Sequence, residues 1–274
     1  MMIRLFDEEM NEVDLSKYGL TGLSFRPSSL SPEHTTDKVT GRPGLIRTGT
    51  DLGARKFEAD FWVRGTNFNT HSLFRSKLFD LFDPTIPRYV VQEEQVGKRW
   101  HAVVSSEWTP ERINQRVSKF TVPFETYDLP FAESINTSLT PQTFDTPWWQ
   151  LGMGLISEDT PYVFNSSTFR VYNPGNVVVD PRYCELEITI EAACSQYLQL
   201  VNKTTGDMWR YDGEATVNDK IRLSKTRATK NSLSIYRNTN RMIIKLNQGW
   251  NDFELTGASS IKNITFDFRF YYKG

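Results

Sequence analysis

The sequence predicts a mainly β chain with one α-helix in its first half and a β-sandwich or jelly roll in its second. Three observations carry this. In the last dozen residues Ile264, Phe266, Phe268, Phe270 and Tyr272 alternate with Asn263, Thr265, Asp267, Arg269 and Tyr271; a period of two puts the large apolar groups on one face of a strand. Upstream, short strand-like runs follow one another with turn signals between them, the pattern of a sandwich or jelly roll. Only one stretch repeats its apolar residues at helical spacing.

Along the chain, Ile3-Arg4-Leu5-Phe6 opens a short strand, with turn-formers at Asp7-Glu8-Glu9. Arg26 to Asp51 is rich in Pro, Ser, Thr and Gly, with Leu30, Val39, Leu45 and Ile46 as its main apolar residues. Structureless loops of this length are uncommon in compact domains. The segment reads as an extended arm that becomes ordered against a neighbouring subunit, with Arg42, Pro43, Gly44, Leu45 and Ile46 as its contact residues. Phe57, Ala59, Phe61 and Val63 form one face of a strand over 56–64. After a break at Gly65-Thr66-Asn67, Asn69 or Thr70 is suited to cap a helix. Leu73, Phe74, Lys77, Leu78, Leu81 and Phe82 make its stripe, and Asp83-Pro84 ends it.

Tyr89-Val90-Val91 and Trp100 to Val104 read as paired strands with the turn at 95–98. Val117 to Tyr127 is a longer strand, in which Pro123 predicts an edge or a bulge. From Leu129 to Thr160 the pattern fades. The expected organisation is a first domain over 1–132 with its arm at 26–51, a linker over 133–150, and a second domain over 151–274. In the latter, strands are expected at 169–172, 186–192, 197–201, 208–211, 221–223, 233–236, 242–246, 252–255 and the terminus, with a hairpin turn at Lys203 to Asp207.

The composition narrows the function. The formal net charge of −1 argues against a chain whose main task is gripping nucleic acid. No apolar run approaches the ~20 residues of a membrane span, and residues 1–12 lack the apolar core of an export signal. Cys184 and Cys194 share the parity of Leu186, Ile188 and Ile190; on one strand they would stand about 33 Å apart, too far for a disulfide. Two reduced core thiols are expected.

Catalytic signals are thin. His34, His71 and His101 are scattered over a loop, a helix start and a strand, and no nucleophile elbow, phosphate loop or Cys-x-x-Cys is present. Glu185, Glu187 and Glu191 share one strand face, which fits a solvated surface better than a glycosidase pair. The chain is expected to be no enzyme and to need no cofactor or metal. Trp209, Tyr211 and Trp250 are candidates for stacking sugar rings.

The order of these elements resembles the distal tail proteins of long, non-contractile-tailed bacteriophages of Gram-positive hosts. The first half is similar in its short strands, Pro/Gly arm, Phe57 to Arg64 strand, Leu73 to Phe82 helix and Tyr89 and Trp100 hairpin. The second half is similar in Asn173-Pro174-Gly175, Leu186 to Ile190, the Thr204 to Asp207 turn, Leu246 to Asn251 and the final aromatic strand. The resemblance implies an N-terminal domain of tail-tube-like β-sandwich or barrel fold and a galectin-like or carbohydrate-module-like C-terminal sandwich. It implies a hexameric ring at the tail tip, assembled in the host cytoplasm, that joins the tail tube to the tail-associated hub in the baseplate. The implied partners are further copies of itself, the tail-tube, hub and tape-measure proteins, and DNA that passes without tight binding. A receptor-binding protein or a cell-wall saccharide is a further expected partner, in support of host attachment. Some members hold receptor-binding proteins on an arm inserted in the second domain; 151–274 has no long excursion of that kind. The alternative expectation is a carbohydrate-binding adhesion module.

Overall fold

The computed structural model describes residues 3–64, 71–114, 117–143, 146 and 148–274, the side chains of 71–73 excepted. The expected break at 65–67, the caps Asn69 and Thr70, and the side chains of His71 and Leu73 lie outside the described residues. The chain divides into two compact units, Met1–Ala132 with Lys273–Gly274, and Glu133–Tyr272.

The first unit contains β1 (Ile3–Phe6), β2 (Leu20–Pro27), β3 (Ser31–Asp37), β4 (Ile46–Gly53), β5 (Lys56–Arg64), α1 (His71–Leu81), β6 (Arg88–Gln92), β7 (Lys98–Val104), β8 (Glu111–Arg112) and β9 (Val117–Thr126). Its main sheet runs β1-β6-β7-β9-β5-β2, with β8 also on β9. The two ends of this order meet where Gly22 faces Ile3: a Cβ on Gly22 would lie 3.1 Å from that of Ile3. The sheet thereby curls into a barrel-like body. Phe57, Phe61, Val63, Phe120 and Phe124 fill it, with Phe61 stacked on Phe120 at 5.6 Å and Phe57 on Phe124 at 5.5 Å. Helix α1 closes one side through Leu78 and Leu81, and Phe82 just beyond it packs 5.1 Å from Phe61. Phe74 is half-buried and Lys77 exposed, so the apolar stripe is narrower than the expected one.

Pro123 is at neither an edge nor a bulge. Strand β9 is central, and Pro123 sits opposite Glu58 in unbroken register with β5. On its other side the ladder to β7 ends at Phe124 and the ladder to β8 begins at Lys119. The Pro123 carbonyl accepts from the Ser105 amide on that side, so its nitrogen faces the same gap. The missing N–H therefore breaks no ladder bond.

Strand β10 (Ala132–Ser134) stands at the division between the units. The second unit comprises β11 (Val163–Phe164), β12 (Thr168–Asn173), β13 (Leu186–Ala193), β14 (Tyr197–Asn202), β15 (Met208–Asp212), β16 (Ile221–Ser224), β17 (Arg227–Lys230), β18 (Leu233–Ser234), β19 (Gly249–Thr256), β20 (Ser260–Phe268) and β21 (Tyr271–Tyr272). One sheet is ordered β11-β20-β13-β16-β17-β18 and the other β12-β19-β14-β15. They form a sandwich whose core includes Phe266 of the first sheet, 4.9 Å from Phe253 and 5.8 Å from Phe169 of the second.

Three local readings change. The terminal strand is interrupted: Ile264, Phe266, Phe268 and Phe270 keep the predicted buried parity, but the strand ends at Phe268 and resumes as β21. Tyr271 turns inward with Tyr272, its hydroxyl accepting from the Glu185 amide. Residues 242–246 form no strand. They meet their neighbours through the bridge of Val179 to Leu246, through Asn202, whose side-chain amide donates to the Lys245 carbonyl, and through Asp207, whose carboxylate accepts from the Lys245 amide. The expected strand 233–236 stops at Ser234 and gives way to a 3-10 turn at Tyr236–Asn238. Within 133–150, Ser134 and Ser138 run beside the end of the chain. The Ser138 hydroxyl donates to the Phe266 carbonyl and accepts from the Phe268 amide, and the Ser134 amide donates to the Phe270 carbonyl.

Candidate assembly interface

The segment read as an extended arm is a two-stranded antiparallel ribbon. Strands β3 and β4 pair from Ser31 opposite Gly53 to Asp37 opposite Ile46, with one irregularity at Thr35/Thr36. All of β3 is exposed, and β4 contains no buried residue. This explains why the segment lacked a strand signature: a ribbon with no buried face has no reason to alternate apolar and polar residues. Thr35, Thr36, Thr48 and Thr50 supply β propensity instead. Cross-strand polar bonds help hold the pair, among them His34 Nδ1 with Thr50 Oγ1 at 2.9 Å and Thr48 Oγ1 to the Thr35 carbonyl at 3.2 Å.

Residues 38–45 form the tip. The Arg42 amide bonds the Val39 carbonyl, and Gly41 and Gly44 hold positive φ of 83° and 86°. Arg42, Pro43 and Gly44 are exposed, Leu45 is 64% exposed, and Ile46 is half-buried as the first residue of β4. Val39 is also exposed. Lys38 and Arg42 make the tip basic, with Asp37 at the end of β3 and Arg47 near the start of β4 behind it.

The root is fixed by a buried carboxylate. Asp60 of β5 receives Arg26 Nη1 at 2.5 Å and Nη2 at 3.1 Å, Ser24 Oγ at 2.8 Å and Thr121 Oγ1 at 2.6 Å. Arg26 also reaches Glu58 at 3.0 Å. The Arg26 guanidinium, helped by the two hydroxyls, holds the Asp60 carboxyl well below the usual carboxylate range and overcomes the opposing effect of burial. Four donors on one carboxylate lock the last turn of β2, from which the ribbon departs.

A second exposed apolar surface lies on the same unit. Phe79, Phe82, Pro84, Val104 and Trp108 line a groove of about 780 Å³, open to solvent. Phe79 is 43% exposed and meets Trp108 edge-on at 5.3 Å, while Trp108 stacks on Phe120 at 4.8 Å. Glu107 is the charged residue on its wall.

The aromatic candidates for sugar stacking are not assembled into a platform. Trp209 and Tyr211 lie on β15 at 2% and 5% exposure, with the Tyr211 hydroxyl bonded to the Glu214 carbonyl. Rings buried to that degree offer no face to a sugar. Trp250 is half-buried and carries the Arg170 guanidinium over its ring at 4.5 Å. Glu191 keeps the outer parity between the buried Ile190 and Ala192, and its low exposure comes from the exposed Lys262 at 2.8 Å and Lys220 at 3.5 Å that cover it. Glu187 and Glu185 are neutralised by Arg222 and Arg269. His34 and His101 lie on separate strands, and the described residues contain no cluster of His, Cys, Asp or Glu arranged to hold a metal ion. Cys184 and Cys194 are both free and buried.

Residues 13–126 match the family model described as the phage tail protein RIFT-related domain. The Dit protein (gp 19.1) of phage SPP1, described as a paradigm of the hub adsorption apparatus in Gram-positive-infecting phages, aligns with 98% of this chain and 100% of its own length. The TM-score is 0.69 at 15% identity, which establishes a shared fold. Two chains of the phage P2 baseplate in its activated conformation, one with calcium and one with strontium, cover 98% of this chain and 97% of their own. Their TM-scores are 0.43 and 0.44, at 10% and 9% identity. No curated protein matches the sequence.

Proposed function

Given a phage tail protein RIFT-related domain over residues 13–126 and the fold of a distal tail protein, we propose that this chain is a structural component of the tail tip that closes into a hexameric ring. The ring joins the tail tube above to the hub and baseplate below, lets DNA pass, and supports host attachment. The observation that carries the reading is the ribbon. An isolated two-stranded hairpin is marginal in water, yet β3 and β4 project with no buried residue from a root locked by four donors to Asp60. Such a ribbon gains its burial from another surface.

A ring needs heterologous contacts, in which one patch of a subunit receives a different patch of the next. The first unit carries two such unlike patches. The ribbon tip is apolar at Val39 and Leu45 and basic at Lys38 and Arg42. The groove is apolar at Phe79 and Trp108 and carries the acidic Glu107 on its wall. Apolar matter meets apolar matter and the charges are opposite, so the tip of one subunit seats in the groove of its neighbour. Light scattering on the purified chain tests this: a mass of six copies supports the ring, and a monomer at high concentration contradicts it.

A further inference from the structure

Two residues of the first unit come from beyond the second: Lys273 and Gly274 belong to the body formed by Met1–Ala132. Two buried cations receive them. Arg55, 5% exposed in the link between β4 and β5, donates through Nη1 to the Lys273 carbonyl at 2.5 Å. Lys98 of β7, 9% exposed, donates through Nζ to the Gly274 carbonyl at 2.9 Å. The Arg55 bond joins positions 218 apart in sequence. Burial lowers the pKa of both side chains from the ordinary range, and a buried cation is costly unless acceptors meet it.

Arg55 also ties the feet of the ribbon. Its Nε donates at 2.6 Å to the carbonyl of Ser28, where the chain leaves β2 for β3, and its own backbone lies where β4 returns. The guanidinium sits over the Trp100 ring at 4.7 Å. The Arg55 amide bonds the Thr126 hydroxyl at 3.0 Å, its carbonyl accepts from the Thr126 amide at 2.9 Å, and the Ser28 amide donates to the Lys56 carbonyl at 3.0 Å. One side chain thus spans the outgoing foot, the incoming foot and residues 273–274. A planar guanidinium fixes the directions of its bonds, so the position of the Lys273 carbonyl constrains how Ser28 is held. The Asp60 lock reaches only as far as Arg26, and Ser28 lies beyond it.

We propose that Lys273-Gly274 is a strap that, through Arg55, holds the two feet of the ribbon together, so that a chain presents a fixed ribbon only once its second unit has been made and folded. Closing an unfolded loop of that length is entropically costly. Folding of the second unit closes it, because the Ser134 amide of that unit bonds the Phe270 carbonyl and so brings its two ends side by side. The consequence for assembly rests on the ring reading, and the strap does not: a chain whose second unit is incomplete carries a loose ribbon and is kept out of the ring.

The test is hydrogen exchange at the Ser28 and Thr126 amides, in the full chain and in one that stops at Tyr272. The shortened chain should exchange both about tenfold faster or more, while the amides of Phe61 and Val63 in β5 and of Ile188 and Ile190 in β13 keep their rates. Arg55→Met, which still covers Trp100 but donates nothing, should act in the same direction. Arg55→Lys keeps the charge without the fork and should not restore the wild-type rate. Feet that exchange at the wild-type rate in the shortened chain overturn the strap. So does equal acceleration in β5 and β13, which would mean a general loss of stability, or an Arg55→Lys chain that matches wild type. Exchange needs no ring, so this readout is decided apart from the ring reading. Shortened chains that enter rings as readily as wild type, by light scattering, overturn the consequence for assembly.

Discussion

Asp60→Asn tests how the ribbon is held at its root. The carboxylate accepts two bonds from Arg26 and one each from Ser24 and Thr121. Asparagine keeps one oxygen and turns an amide NH₂ toward the guanidinium. Bonds to charged groups contribute about 1.5–3 kcal/mol each where they are shielded, but the Arg26 side chain is 50% exposed and the Asp60 side chain 9%. Solvent screening on the arginine side reduces the pair toward the lower end, and the two hydroxyl bonds survive in part. The expected loss is about 2 kcal/mol, or roughly 5–10 °C in the melting temperature of a unit of this size.

The sign with pH follows from the direction of the shift. The folded-state carboxyl ionises well below its ordinary value, so its contribution is complete above the unfolded value of about 3.9 and is lost as pH falls through the lower folded value. The gap between wild type and variant should therefore be constant from pH 7 to about 5 and shrink steadily below about pH 4. Scanning calorimetry across that range measures it, and amide exchange on β3 and β4 shows whether the ribbon loosens first. A variant that melts within 1 °C of wild type at pH 7, on a ΔΔG scale where ~2 kcal/mol was expected, would refute the reasoning. A gap independent of pH would refute it too.

Two further outcomes follow from the second unit. Asn251 is fully buried, and its amide donates to the carbonyls of Asn247 and Gly249 while its oxygen accepts from the Asn247 amide and from Asn202. Asn251→Ala leaves these groups unpartnered and should cost about 2–4 kcal/mol by denaturant titration; a loss under ~0.5 kcal/mol would mean that water replaces the side chain. Burial pushes the Cys184 thiol up to about 12 and raises that of Cys194 as well, so neither ionises at neutral pH. A thiol reagent at pH 8 should label native protein slowly and label both cysteines in denaturant; rapid native labelling would contradict their burial.

Much of the fold was legible because burial imprints periodicity. Phe57 to Val63, Leu186 to Ile190 and Ile264 to Phe270 show which face they bury, and all three segments are buried on that parity. The ribbon left no such imprint, since neither of its strands buries a face within the chain. Composition marked Arg26 to Asp51 as unusual but concealed its pairing. Pro123 misled for a different reason: its tolerance depends on where β7 ends and β8 begins, a property of the neighbours and not of the strand. Trp209 and Tyr211 were attractive as aromatics near a turn, and parity alone does not reveal that a second sheet covers them. The groove at Phe79 and Trp108 joins α1 to the segment after β7, residues that are distant in sequence.

The most direct test of the central claim is electron microscopy of the full-length chain beside a variant in which residues 38–45 are replaced by Asn-Gly, a two-residue turn that closes the ribbon without its tip. Wild-type chain should give sixfold rings. The shortened variant should keep its circular dichroism spectrum and its melting temperature yet remain monomeric. Rings that persist without the tip, or a wild-type chain that stays monomeric at high concentration, would contradict an assembly carried by the ribbon.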